Sequence, residues 1–181
     1  MIADVILAKF PDAESGGFFD TADDHEQLVT RPKDIFDNAT PSGTSVAADL
    51  LTRLALLTDD RRYSEAAEGI TTALGAIAGQ HPTSFGRLLC ALDFAIGRPR
   101  EIAIIGPADS EATRALKRAV FGRFLPNRVV AGSDGSSTAA KIPLLQDRVL
   151  RDGQPTAYVC EGYVCQAPVS DPEALTAQLN A

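Results

Sequence analysis

Residues 31–45 read Arg-Pro-Lys-Asp-Ile-Phe-Asp-Asn-Ala-Thr-Pro-Ser-Gly-Thr-Ser, which gathers two cations, two carboxylates, an amide and four hydroxyls into fifteen positions. An apolar helical pattern follows at once. Backbone N–H groups left free in the first turn of a helix attract anions or sugar oxygens. Lys33, Asp34, Asp37, Asn38 and Ser42 therefore form a candidate ligand-binding set. Asp34 or Asp37 could act as a general acid or base if burial raised its pKa. A glycosidase also needs an opposed carboxylate roughly 5–10 Å away, and this stretch does not supply one. The competing reading is structural: Asp and Asn close local turns, while Ser42 or Thr44 caps the helix.

Cys160 and Cys165 enclose four residues. This is neither Cys-x-x-Cys nor half of a zinc site with its other half elsewhere. If Glu161-Gly162 is a two-residue hairpin turn, Cys160 faces Tyr163 and lies diagonal to Cys165. The two are then too far apart for an unstrained disulfide. A different loop would join them, so buried free thiols and a redox pair are both open readings. Cys90, beside Leu88 and Leu89 in a helical pattern, is expected in a core. The loop Asp20–Glu26 surrounds His25 with carboxylates but lacks the ligand spacing and glycine of a calcium loop. A solvated acidic loop is expected there, with His25 as a conceivable base near neutrality, and no metal site. His81, ahead of Pro82, reads as a helix cap. Ile105-Gly106-Pro107-Ala108-Asp109 stands where a dinucleotide-binding loop would be, but it has one Gly and a Pro. No cofactor is expected.

The elements that must position these residues are read from periodicity. Met1–Phe10 predicts a short amphipathic helix stopped by Pro11 and Gly16-Gly17. Residues 17–20 and 27–30 read as two short strands. From Thr44, Val46, Leu50, Leu54 and Leu57 make one apolar stripe, widened by Ala47, Leu51 and Ala55. Tyr63, Ala66, Ala67, Ile70, Leu74 and Ile77 make a second, with Asp59 or Asp60 as N-cap. Pro82 opens a third helix with Phe85, Leu88, Leu89, Leu92 and Ile96 inward. At Pro99 the pattern changes. Glu101–Ile105 suits a buried strand, and a helix follows a cap at Asp109 or Ser110 with Ala112, Ala115, Leu116, Ala119 and Val120 inward. Residues 128–131 form the next strand. That βαβ spacing favours a parallel pair. Gly132–Ser137 reads as a linker, Ile142–Leu150 as a short helix, and 157–160 with 163–166 as a hairpin. A final helix starts at Ser170 or Asp171 with Pro172 in its first turn.

Composition sets outer limits. The 181 residues carry 17 basic against 24 acidic side chains, a net charge of −7. An acidic chain without a basic block is a poor partner for phosphate backbones or anionic membranes, so neither nucleic acid nor membrane is expected. Trp is absent and aromatics are 6%, which weighs against a sugar site built on aromatic platforms. No apolar run is long enough to span a bilayer, and the N-terminus has no basic leader or long apolar core. Three cysteines are too few for a disulfide scaffold. The expected location is the cytoplasm.

The runs Gly16-Gly-Phe-Phe-Asp20, Arg31-Pro-Lys-Asp34 and Asp37-x-Ala39-x-Pro41-Ser42-Gly43-x-Ser45-Val46-Ala47 are followed by Arg98–Gly106 and Val159–Leu175. In that order they resemble the C-terminal region of the spermatogenesis-associated, thioredoxin-domain-containing family, which has bacterial relatives. The resemblance implies an N-terminal thioredoxin-like domain followed by a six-hairpin, glycosidase-like (α/α)6 toroid. The implied fold is mainly α with a smaller α/β part. Residues 1–98 would be the C-terminal helical hairpins of an incomplete toroid, and 99–181 a small α/β region containing the βαβ unit. The chain then reads as a fragment whose partner is the remainder of its own full-length chain. As a fragment it would expose apolar stripes, which a homo-oligomer would cover. The toroid's likeness to glycosidases and sugar epimerases is an analogy of fold, and it brings no catalytic residues. The expected function is one wall of a carbohydrate-type cleft through residues 31–45, inactive alone. The alternatives are a structural or interaction module without catalysis, or a thiol-redox accessory region through Cys160 and Cys165.

Overall fold

An apolar run opens the chain as helix α1, Ile2–Lys9, in a computed structural model that describes residues 2–26, 29–135, 142–162 and 164–180. Helix α2 spans Gly43–Thr58, and α3 spans Arg61–Gln80. A single 3-10 turn at Pro82–Ser84 leads into α4, Gly86–Ile96. Then come strand β1, Arg100–Ile105, helix α5, Glu111–Phe121, and strand β2, Arg128–Ser133. A second 3-10 turn at Pro143–Leu145 precedes strands β3, Thr156–Glu161, and β4, Val164–Cys165, and helix α6, Pro172–Asn180. The chain is thus a mixed α/β structure rich in helix. It divides into two compact units, one of residues 1–55 and 60–96 and one of residues 56–59 and 97–181.

The first unit is helical. Asp60 caps α3, its carboxylate accepting the Arg62 N–H at 3.0 Å. Tyr63, Ala67, Ile70, Leu74 and Ala78 then follow one another at three- and four-residue spacing on the buried face of α3. They pack with Ala47, Ala48 and Leu51 of α2, Phe85, Leu88 and Ala91 around α4, and Ala3 and Phe18. The inward face of α2 differs from the expected one. Its small residues Ala47 and Ala48 and the single Leu51 are buried, whereas Val46 is 44% exposed and Leu50, Leu54 and Leu57 are only half-buried. The helix is apolar on two faces, and close packing selected the face of smaller side chains. On α4, similarly, Leu88, Ala91 and Phe94 are buried, with Phe85 just ahead of the helix, while Ile96 is exposed. Pro82 starts a 3-10 turn rather than the helix itself. Residues 17–20 form no strand beyond an isolated bridge from Phe18 to Pro11. Of the second expected strand, Gln27 and Leu28 lie outside the described residues, and Val29 and Thr30 are a bend.

The second unit is built on a four-stranded sheet in the order β2-β1-β3-β4. β1 and β2 are parallel through the α5 crossover, with Ile102 opposite Val130. β3 is antiparallel to β1, with Ile102 opposite Val159, and β4 is antiparallel to β3. Alternation along the strands sorts the two faces. Ile102, Ile104, Ala157 and Val159 meet Leu116 and Val120 of α5 and Leu175 and Leu179 of α6. The opposite face carries Glu101, Ala103, Ile105, Tyr158 and Cys160, all buried. On α5 the inward set is Thr113, Leu116 and Val120, with Ala112 exposed. The carboxylate of Asp171 caps α6 by accepting the Ala174 N–H at 2.7 Å. The helix expected over 142–150 is only the 3-10 turn at Pro143–Leu145. β2 runs on through Gly132 and Ser133, Asp134 and Gly135 follow without helix or strand, and residues 136–137 of the expected linker lie outside the described residues.

Candidate functional site

The polar segment from Arg31 to Ser42 has no regular structure, so its backbone and side chains must find partners individually. Arg31 donates to the Thr21 and Lys9 carbonyls and stacks over Phe19 with 4.1 Å to the ring centre. Lys33 turns into the body of its unit. Its ammonium lies 2.7 Å from the Asp12 carboxylate and 2.8 Å from the Ser15 hydroxyl, and it also donates to the Gly16 carbonyl. The Lys33 ammonium, with the Ser15 hydroxyl and N–H, holds Asp12 far below the usual carboxylate range. Asp34 is exposed, and its carboxylate closes an Asx turn on the Phe36 N–H at 3.0 Å.

Asp37 joins two helices. One carboxylate oxygen accepts the Ser42 N–H at 2.9 Å, ahead of α2. The other accepts the Arg87 N–H at 2.7 Å and the Leu88 N–H at 3.2 Å, in the first turn of α4. Burial pushes its pKa up, but the N–H bonds from Ser42 and Leu88, the Ser45 hydroxyl and the Arg87 N–H outweigh it, and the net shift is downward. A general acid needs the opposite shift. Ser42 is buried and caps α2, accepting the Ser45 N–H at 3.1 Å while donating to the Ser45 hydroxyl. Thr44 does not cap. It is buried and exchanges two hydrogen bonds with the Phe18 backbone, at 3.0 and 3.3 Å. Asn38 is exposed, and its N–H donates to the Thr40 carbonyl at 3.2 Å. Of the five residues singled out for ligand binding, Lys33, Asp37 and Ser42 thus point their polar atoms at the protein itself.

One buried carboxylate escaped the sequence reading. Asp49 on α2 accepts from Arg53 Nε at 2.9 Å, one turn along, and from Arg87 of α4. Arg53 in turn stacks over Phe94 at 4.2 Å. An Asp and an Arg at i, i+4 inside an otherwise apolar helix were the available signal. His25 is exposed in a loop where Lys9 pairs with Asp23 and Asp24. His81 ends α3 through its backbone N–H, bonded to the Ile77 carbonyl, and its side chain makes no cap. Among the described residues no group of three or more His, Cys, Asp or Glu is placed to hold a metal ion.

The cysteines depart furthest from expectation. Glu161 pairs with Val164 and Cys160 with Cys165, so the turn lies one residue later than Glu161-Gly162, with Gly162 at φ +55°. That shift of one residue places the cysteines directly opposite each other, and they form a disulfide with 3.9 Å between Cα atoms. The neighbouring Gln166 N–H donates to the Val159 carbonyl, so Cys160 and Cys165 occupy the non-hydrogen-bonded position, where side chains approach most closely. Cys160 is buried and Cys165 exposed. Arg148 reaches both sulfurs, with one guanidinium nitrogen 3.0 Å from Cys165 Sγ and 3.4 Å from Cys160 Sγ. Cys90 is free and exposed on α4 rather than in a core.

No family model matches the chain. Over 167 residues, 90% of its length, it is 31% identical to human spermatogenesis-associated protein 20. It is 29% identical over 175 residues, 94% of its length, to the rat protein of that name. It is also 23% identical over 165 residues to an uncharacterized protein of Caenorhabditis elegans. The aligned stretches are 21–22% of those proteins. The chain therefore spans about a fifth of the length of the curated relatives it matches, and what it resembles is one stretch of spermatogenesis-associated protein 20.

Proposed function

We propose that the helical unit is a packing and interaction module of a larger helical array, of the (α/α)6 toroid kind, and that its polar segment is a fastening rather than a catalytic wall. The observation that carries this reading is the second apolar face of α2. Beside the exposed Val46, a groove of about 350 Å³ is lined by Ile6 and Phe10, by Phe18 and Phe19, and by Ala47 and Leu50. Ile2 and Val5 of α1 are also exposed, at 81% and 52%. A helix with apolar residues on two faces is suited to burial on both, and the occupant that fits is a further helix. The length of the relatives, about five times the aligned stretch, supports a setting in which such helices exist. In that setting the partner is the remainder of a longer chain.

The chain alone would then cover this face with a second copy. Light scattering during gel filtration is expected to give a dimer or larger species that Val46→Glu with Leu50→Glu converts to a monomer. A monodisperse wild-type monomer would count against the module. The carbohydrate-cleft reading makes a different forecast: sugars from a panel would bind and Asp34→Asn would weaken them. The module forecasts no sugar binding by residues 31–45, with Asp37→Asn affecting stability alone.

A further inference from the structure

The sheet face opposite α5 and α6 carries an arrangement that the module does not use. Arg148 follows the 3-10 turn at Pro143–Leu145. Its guanidinium lies over the Tyr158 ring, 4.9 Å from the centre, while the Tyr158 hydroxyl donates to the Val149 carbonyl at 2.7 Å and accepts its N–H at 3.2 Å. The segment bearing Arg148 is thereby tied to β3, and the cation is held against the Cys160–Cys165 bond. Arg148 Nε is buried with no hydrogen-bond partner among the described residues. A disulfide sulfur is a weak, neutral acceptor. An immobilised guanidinium is therefore poorly matched to a cystine and well matched to a thiolate.

We infer that Cys160–Cys165 is a thiol–disulfide exchange site whose co-substrate is a dithiol. The exposed Cys165 Sγ is the sulfur an incoming thiolate can reach, and the buried Cys160 Sγ is the leaving group. Attack forms a bond between the incoming sulfur and Cys165. The Cys160–Cys165 bond breaks, and its electron pair leaves on Cys160 as a thiolate beside Arg148. The second thiol of the co-substrate, having lost its proton to solvent, attacks the co-substrate sulfur of the mixed disulfide and expels Cys165. Two electrons pass to the cystine, the co-substrate becomes a disulfide, and the protons end on the cysteines or in solvent. A monothiol completes the cycle poorly, because a second molecule must resolve the adduct in competition with Cys160. Cys160, directly opposite in the ladder, attacks the adduct intramolecularly and expels it. Arg148, Cys160 and Cys165 line a cavity of about 110 Å³ together with Glu101 and with Asp59 of the 56–59 segment. Those carboxylates oppose a thiolate, and Arg148 is the group in contact with the sulfurs.

The test uses the whole chain carrying Cys90→Ser, which removes the third thiol. Dithiothreitol, as a probe dithiol, is expected to reduce the pair, whereas reduced glutathione at the same thiol concentration leaves it mostly oxidised. With Cys160→Ser added, glutathione disulfide should modify Cys165 rapidly. With Cys165→Ser, the remaining Cys160 should react at least about tenfold more slowly, because access governs thiol reactivity. Arg148→Gln should slow reduction by dithiothreitol about tenfold through a poorer leaving group, and Arg148→Lys should restore most of the rate. Faster reduction in Arg148→Gln, in a protein with unchanged circular dichroism, would mean that Arg148 merely shields the bond, and would overturn the inference. Equal reactivity of Cys160 and Cys165, or no loss of rate in Arg148→Gln, would overturn it as well.

Discussion

Asp37 is one carboxylate serving three N–H groups, one just ahead of α2 and two in the first turn of α4. Loss of a helix-capping side chain costs about 1–2 kcal/mol, so Asp37→Ala is expected to lower the unfolding free energy by about 2 kcal/mol in urea titrations. Asp37→Asn should behave similarly, since an amide presents a donor where an acceptor is required. The folded pKa of Asp37 is depressed. Its contribution is therefore present in full above the ordinary carboxylate value and is lost as pH falls through the lower folded value. Acid titration of stability should show a shallower decline below pH about 4 in Asp37→Asn than in wild type. Much at this scale was legible. The run from Arg31 to Ser45 is unusual in residue types, and Ser42 caps where a Pro-Ser-Gly start says it should. What sequence could not give is the identity of distant partners. Nothing near Asp37 announces Arg87 and Leu88, and nothing near Lys33 announces Asp12, because capping by a remote side chain leaves no periodic trace.

Among the elements, the long helices and the strands of the sheet followed from spacing. The short strand expected at 17–20 and the helix expected over 142–150 did not form, and facing and hairpin register were not given by spacing. The strands 100–105 and 128–133 around α5 are parallel, as a crossover of that length requires. On α2 the apolar residues surround the helix, so periodicity could not choose between the Val46 and Ala47 faces, and packing of small side chains decided. In the last hairpin a turn misplaced by one residue changed the partner of Cys160 from Tyr163 to Cys165, because side chains alternate with a period of two. Gly106, just after β1, has an element-level role as well. A Cβ there would stand 2.5 Å from Thr113 Oγ1 on α5 and 2.8 Å from Pro155 Cβ ahead of β3. The helix and the strand can approach the end of β1 because that side chain is missing. Gly106→Ala is expected to cost about 1–3 kcal/mol by overpacking, read as a lower midpoint in thermal unfolding followed at the sheet signal.

For the molecule as a whole, the helical unit and the sheet unit each have their own buried apolar cluster, with no residue in common. Each cluster should therefore open with its own free energy. Leu51→Ala, at a fully buried site of the first, should cost about 2–5 kcal/mol. Hydrogen exchange is expected to register this in α2 and α3 while protection in β1 and β3 stays at its wild-type level. Equal loss of protection in both units would show a single cooperative body. The division of chemistry follows the same line: the apolar face of α2 belongs to one unit and the Arg148–cystine arrangement to the other. Among the described residues no helix is long and apolar enough to cross a membrane. Residues 31–42 have the outward character of a surface loop, without helix or strand, and would ordinarily be the place for an engineer to insert a tag or to graft a foreign sequence. Asp37 removes that freedom, because any replacement of the segment unfastens the starts of two helices at once, and the tolerant sites for insertion must be sought elsewhere.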